Sequence, residues 1–167
     1  MKEIKLTIDG KEVKLTNEQL KALGIEIEGK RKNPFSKVAV DDMYYFIRRF
    51  GGVDGYRQAN DGEDDMLFNT VNYFNDEQFA QQVALHQLLY RKLLKFAYDN
   101  ECEDTAEWDG SNKHWAVRYN YAGGARAAYY QSSRGAQEVY FSSEEGAKRA
   151  IKEVVEPFMK EHPEFVW

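Results

Sequence analysis

The chain is poor in the residues that build metal sites and covalent crosslinks. Its 167 residues include one cysteine, Cys102, with three histidines and three prolines. A single cysteine excludes an intramolecular disulfide, and three scattered histidines argue against a Cys/His zinc site. Cys102 sits in "NECED", where neighbouring acids disfavour the thiolate, so it reads as inert. No apolar run approaches the roughly 18 residues that a membrane helix needs. The opening "MKEIKLTIDG" alternates and lacks the apolar centre of a secretory signal, so a cytoplasmic protein is expected. Phosphate-loop, dinucleotide-fingerprint and HExxH patterns are all missing. Positive charge is the minority, 23 Lys and Arg against 28 Asp and Glu, for a formal net charge of −5. That balance argues against a direct nucleic-acid binder, which would carry a basic face. It permits an acidic protein that meets a basic partner, and equally one that is merely soluble.

What the chain has in quantity is aromatic residues, 14% of the total, with 11 Tyr and 10 Phe. A buried Tyr needs a partner for its hydroxyl, so many should sit half-exposed on strands or at an interface. The length fits one domain, or a domain with a small appendage.

The hydrophobic pattern predicts an α+β protein: antiparallel sheets with packed helices, in two β-meander-plus-helix units and a small N-terminal ββα unit. Residues 1–26 form the N-terminal unit. Ile4, Leu6 and Ile8 alternate, Asp9-Gly10 signals a hairpin turn, Val13 and Leu15 alternate again, and Thr16 with Gln19 opens a short helix that stops at Gly24. Residues 27–40 read as a linker, whose cluster Lys30, Arg31, Lys32 is either a phosphate contact or a solvated run. The main domain, 41–167, divides into halves at about 42–99 and 114–160. In the first, a strand over 42–49 ends at Gly51-Gly52, an acidic loop covers 59–66, and "LFNTVNYF" (67–74) is the returning strand. Asn75 then caps a helix running from about 76 to 99. In the second, "HWAVRYNY" puts Trp115, Val117, Tyr119 and Tyr121 on one face. "AGG" is a turn, "ARAAYYQSS" and "GAQEVYF" are further strands, and Ser142 with Glu145 opens the last helix. Pro157 predicts a kink or stop near Glu156. Phe165 and Trp167 should pack back onto the body.

Two stretches nearly repeat, "NYFNDEQFAQ" and "VYFSSEEGAK", with Tyr73 and Tyr140 standing 67 positions apart. Each reads as a strand ending in Tyr-Phe, a polar cap, acids in a first helical turn, then Ala against the sheet. Neighbouring strand residues point to opposite faces, so one ring of each pair should enter the core and the other stay outside. The cap side chains and acids already occupy the helix-start amides, which argues against anion binding there.

No nucleophile, base and orienting acid are prepared by local sequence. His86 lies mid-helix, His114 at a strand start and His162 near the tail. No catalytic residue, metal or cofactor is expected, and the chain reads as a binding protein and not an enzyme. Two regions differ between the repeats and become the candidate partner-binding residues. One is the acidic stretch with Asp61, Glu63, Asp64 and Asp65, which resembles a calcium loop only loosely. The other is the Tyr-rich hairpin, with Arg118, Tyr119, Tyr121, Arg126, Tyr129 and Tyr130. Its residues suit base stacking, a protein-binding face, or ordinary cross-strand packing.

The stretches "MKEIKLTIDGKEVKLTNEQLKALGIE", "DDMYYFIRRFGGV", "NTVNYFNDEQFA" and "VYFSSEEGAKRAI" resemble a group of small proteins from phages, prophages and mobile elements of Gram-positive bacteria. The likeness covers most of the chain and rests on strands and caps. Some of that group resemble type II anti-CRISPR proteins, inhibitors of Cas9-type nucleases. The resemblance implies a partner in a bacterial defence nuclease, a Cas9-type effector, met inside the bacterial host cell. It transfers no functional residues. The block "HWAVRYNYAGG" departs from the Tyr-Tyr-Ile-x-Tyr-Asp strand usual in the group, so the partner can differ if that hairpin carries the activity. The alternatives are a nucleotide or small-molecule binding (sponge) domain and a phage accessory module with a structural role.

Overall fold

The computed structural model describes residues 6–8, 11–13 and 33–167. It shows an α+β fold of antiparallel sheets with packed helices. Strands β1 (Leu6–Ile8) and β2 (Lys11–Val13) pair with Ile8 opposite Lys11. That register leaves two residues between them, the length of an Asp-Gly turn. Asp9-Gly10 themselves, the helix expected from Thr16, and Lys30 to Lys32 lie outside the described residues.

The described part of the expected linker packs against the first half. Phe35 contacts Phe74 and Phe79 at ring-centroid distances of 5.3 and 5.4 Å. The Asn75 amide donates to the carbonyls of Asn33 and Ser36. Asn75 is therefore a tie and not the helix cap.

In the first half, β3 (Met43–Ile47) pairs with β4 (Val53–Arg57) across a tight turn. Gly51, at φ +91°, closes that turn, which glycine adopts without steric cost. The returning strand is thus 53–57 and not 67–74. The expected acidic loop is mostly a helix, α1 (Gly62–Asn69). The reason is a reciprocal cap. Asp61 accepts from the N–H of Glu63 and Asp64, while Asp64 reaches back to the N–H of Asp61. Glu63, Asp64 and Asp65 in the first turn complement the macrodipole. Beyond α1 the chain makes a single bridge, in which Phe74 and Tyr45 exchange backbone hydrogen bonds of 2.7 and 2.8 Å.

Helix α2 (Glu77–Asp99) then crosses from one half to the other, capped by Asp76. It buries Ala80, Ala84, Leu89, Leu93, Phe96 and Ala97, a stripe at helical spacing. No helix among the described residues is long and apolar enough to cross a membrane.

In the second half, β5 (His114–Asn120) pairs with β6 (Gly124–Tyr130) on one side and with the short β7 (Tyr140–Phe141) on the other. The strand expected over 135–141 is only its last two residues, and it returns beside β5 instead of continuing past β6. The first half does the same thing, since Phe74 also bridges the first strand of its hairpin. Helix α3 (Glu144–Ala150) comes next, capped by Ser143 and not Ser142.

The last helix is neither stopped nor simply kinked at Pro157. Residues Ile151–Val155 form a π turn, in which the Glu156 N–H reaches the Ile151 carbonyl, and α4 (Glu156–Glu161) continues from it. Proline lacks an N–H and crowds the carbonyl four residues back, and the wider turn accommodates both defects.

The repeat is therefore structural. Both caps stand two residues after Phe, at Asp76 and Ser143, and the matching alanines, Ala80 and Ala147, are fully buried. The split of each Tyr-Phe pair between core and surface does not occur. Tyr73, Phe74, Tyr140 and Phe141 are all buried, because helices or loops cover both faces of these short strands. The larger core joins α2 to Phe141, Ala147, Ala150, Val155, Phe158 and Phe165, and a smaller one gathers Tyr44, Phe46, Leu67 and Tyr73. Burying one such ring contributes ~2–3 kcal/mol. Phe165 lies in the larger core and Trp167 stacks on Tyr119, so the tail packs back as its composition suggests.

Candidate functional site

The four acids expected as one exposed contact surface are divided by the fold. Asp61 and Asp64 serve the α1 cap, and Asp64 is buried, accepting also from the Ala59 N–H at 2.8 Å. Burial alone would raise the Asp64 carboxyl. The adjacent Tyr44 hydroxyl and the N–H groups of Ala59 and Asp61 outweigh burial and hold it below the ordinary carboxylate range. Burial and the same carboxylate push the Tyr44 phenol up. Asp65 pairs with Lys37 at 2.6 Å. Asp61 and Glu63 stay exposed without an ion-pair partner among the described residues, and of the two only Glu63 has a carboxylate that the helix cap leaves unused. An acidic helix start looks like an acidic loop in sequence. The signal that separates them is Asp61-x-x-Asp64, a capping box written with aspartates.

The hairpin residues are adjacent but face different ways. Directly paired residues share a face, so Trp115/Tyr129, Val117/Ala127 and Tyr119/Ala125 form one side. That side packs on the large core through Trp115, Val117, Ala125 and Ala127. His114/Tyr130, Ala116/Ala128 and Arg118/Arg126 form the other. Arg118 lies over the Tyr130 ring, donates to its hydroxyl, and pairs with Glu138 at 2.7 Å. Arg126, directly opposite Arg118, has no ion-pair partner among the described residues. Two like charges face to face cost stability unless something shields them, and Glu138 does so for one. Lys113 covers the Tyr129 ring at 4.7 Å. Of the rings expected as a stacking platform, Tyr129 and Tyr130 are thus already faced by cations, and Tyr119 is covered by Trp167. Tyr121 is different: it stands 88% exposed at the hairpin tip, edge-on to Tyr119, which itself stacks on Trp167.

The structure adds a polar pair. Asp104 Oδ2 lies 2.6 Å from His114 Nδ1, with Trp108 stacked on the imidazole at 3.6 Å. His114 is fully buried and its Nε2 has no hydrogen-bond partner. The sequence placed His114 correctly at a strand start. Asp104 could not be matched to it, because the backbone contact of Asp104 with Tyr140 brings the two together across the sheet.

Cys102 is buried, and burial is the main reason its thiol is pushed up; nearby Arg149 opposes this and Glu103 adds to it. No cluster of three or more His, Cys, Asp or Glu positioned to hold a metal stands among the described residues.

A groove runs along α2. Its inner cleft, about 190 Å³, lies where the β5–β7 ladder ends at Ala116 and Tyr140 and the chain before β7 diverges. His86, Tyr90, Arg118, Gln137, Glu138 and Trp167 are among its walls. An outer cleft of about 580 Å³ shares His86, Tyr90 and Gln137 and adds Val83, Gln87 and Arg91. The α2 members are spaced three and four apart, which puts them on one helix face. Of these α2 residues, sequence reading names Val83 for its apolar spacing and His86 as a lone histidine, and it marks Gln87, Tyr90 and Arg91 for nothing.

Compared with known proteins, the chain matches no family model, no curated protein and no solved structure.

Proposed function

We propose that this chain is a non-catalytic, mobile-element-encoded anti-defence protein that binds a Cas9-type nuclease and blocks its binding or cleavage of DNA. The nuclease comes from the resemblance of the strand and cap blocks. The observation that supports action by binding is the hairpin tip. There Tyr121 stands exposed on a two-stranded hairpin buttressed by the Tyr119–Trp167 stack, and Arg126, without an ion-pair partner among the described residues, is close by in sequence on the same hairpin. Tyr and Arg on a rigid element are the side chains that most often dominate protein interfaces. A net charge of −5 favours approach to a basic nucleic-acid channel. The acids at 61–65 contribute less to this than their number suggests, since Asp61 and Asp64 are spent on a helix start. The test is co-purification of this protein with several Cas9-type effectors at moderate salt, followed by a DNA-cleavage assay. Salt-sensitive binding with loss of cleavage is expected; absence of binding to all of them removes the reading.

A further inference from the structure

We infer that the groove between α2 and residues 137–139 is a binding site for a small phosphate-bearing ligand with a planar ring, of the class of a nucleoside monophosphate. The inference stands independently of the nuclease reading and uses different residues.

The first support is charge. In a chain with five more acids than bases, the outer cleft contains no acid: its walls are Val83, His86, Gln87, Tyr90, Arg91 and Gln137. The inner cleft contains one, Glu138, which is held by Arg118 and by the Tyr140 hydroxyl. Arg48, Arg118 and Arg149 each have a carboxylate partner. Arg91 has none among the described residues, so its guanidinium fork is available to a phosphate, which it fits in a bidentate manner.

The second support is the supply of uncommitted polar groups beside that charge. His86 packs its ring against Phe165 at 4.8 Å, and its nitrogens make no hydrogen bond among the described residues. Gln87 and Gln137 bring side-chain amides, which both donate and accept and so suit the edge of a base. Gln137 is held at φ +60°, a left-handed conformation that costs a non-glycine residue energy, and it is one of the residues shared by the two clefts.

The third support is a free ring. Tyr129, Tyr130 and Trp108 each have a cation over one face. Tyr90 has neither a cation nor another aromatic ring against it among the described residues, and it is 37% exposed. A planar base stacked on Tyr90 would leave Arg91, which lines the same outer cleft, as the cation for its phosphate. The outer cleft, about 580 Å³, has the volume in which small ligands are held.

The experiment is isothermal titration of the whole protein with AMP, GMP, CMP and UMP, with the four matching nucleosides, and with inorganic phosphate alone. At least one monophosphate is expected to bind more tightly than either of its parts. Arg91→Ala and Tyr90→Ala, both surface changes, should each weaken that binding by about tenfold or more. Arg126→Ala on the hairpin should leave it unchanged. No heat with any of the four monophosphates overturns the inference. So does undiminished binding to the Arg91→Ala protein, or phosphate alone binding as tightly as the nucleotide, which would indicate a simple anion contact.

Discussion

The carboxylate of Asp104 and the imidazole of His114 meet at 2.6 Å inside the protein, sealed by the indole of Trp108. The two residues come from different segments, and the pair fixes the loop that begins at Asp104 onto the outer face of the β5–β6–β7 sheet. Removing the carboxylate leaves the imidazole Nδ1–H buried beside an Nε2 that already lacks a partner. Asp104→Ala should therefore destabilise the fold by ~1–3 kcal/mol, the cost of orphaning a buried donor. Urea unfolding checks this, and an unchanged midpoint would show that the pair holds nothing together.

The shared joint makes a prediction about register. Ser143→Ala and Asp76→Ala should each cost ~1 kcal/mol, because each removes the acceptor for a first-turn N–H. Ser142→Ala should cost less than ~0.5 kcal/mol, the range of surface changes that touch no such feature. Equal losses at Ser142 and Ser143 would contradict the cap position.

Asp64 gives a pH dependence. Its carboxyl is held below the ordinary value, so the stability it contributes is complete above about 3.8, the unperturbed value. That contribution is lost as pH falls through the lowered one. Asp64→Ala should destabilise by ~1–3 kcal/mol at neutral pH, where it orphans the N–H groups of Ala59 and Asp61. The gap between variant and parent should narrow as the pH drops below about 3.8. A gap that stays constant down to acid pH would mean that the carboxylate charge is not what the cap uses.

The hairpin tip separates binding from folding. Tyr121→Ala should leave the unfolding midpoint unchanged, since the ring is almost wholly exposed. Combined with Arg126→Ala it should weaken the proposed binding to a Cas9-type nuclease by at least tenfold, as loss of ~1.4 kcal/mol or more at an interface anchor does. Retained inhibition by the double variant would move the contact face off this hairpin.

Some of this molecule was legible before any fold. The length of α2 and the strand over 114–120 come from apolar spacing, which reports one-dimensional order directly, and the packing of Phe165 follows from the apolar composition of the tail. The repeat was legible too, because a strand, a cap and a buried alanine recur at a fixed offset. Its details were not. Asn75 and Ser142 look like caps as well as Asp76 and Ser143 do, and only the path of the chain after Phe74 and Phe141 selects between them. The acidic helix was misread for a related reason. Acids at a helix start and acids in a loop have the same composition, and the difference lies in which carboxylate turns back to the backbone.

The sequence by itself determined the class of fold, because strand and helix periods are local and apolar residues must face a shared core. It also determined the absence of disulfide chemistry, because one cysteine has no partner in the same chain. Tertiary structure decided everything that depends on pairing between distant segments. It placed β7 beside β5 and so left a groove along α2 where the ladder ends. It joined Asp104 to His114 and covered the Tyr129 and Tyr130 rings with Lys113 and Arg118. It left Tyr90, Arg91 and Tyr121 open to other molecules. Local sequence cannot carry that information, because whether a side chain is spent or available depends on what the rest of the chain brings next to it.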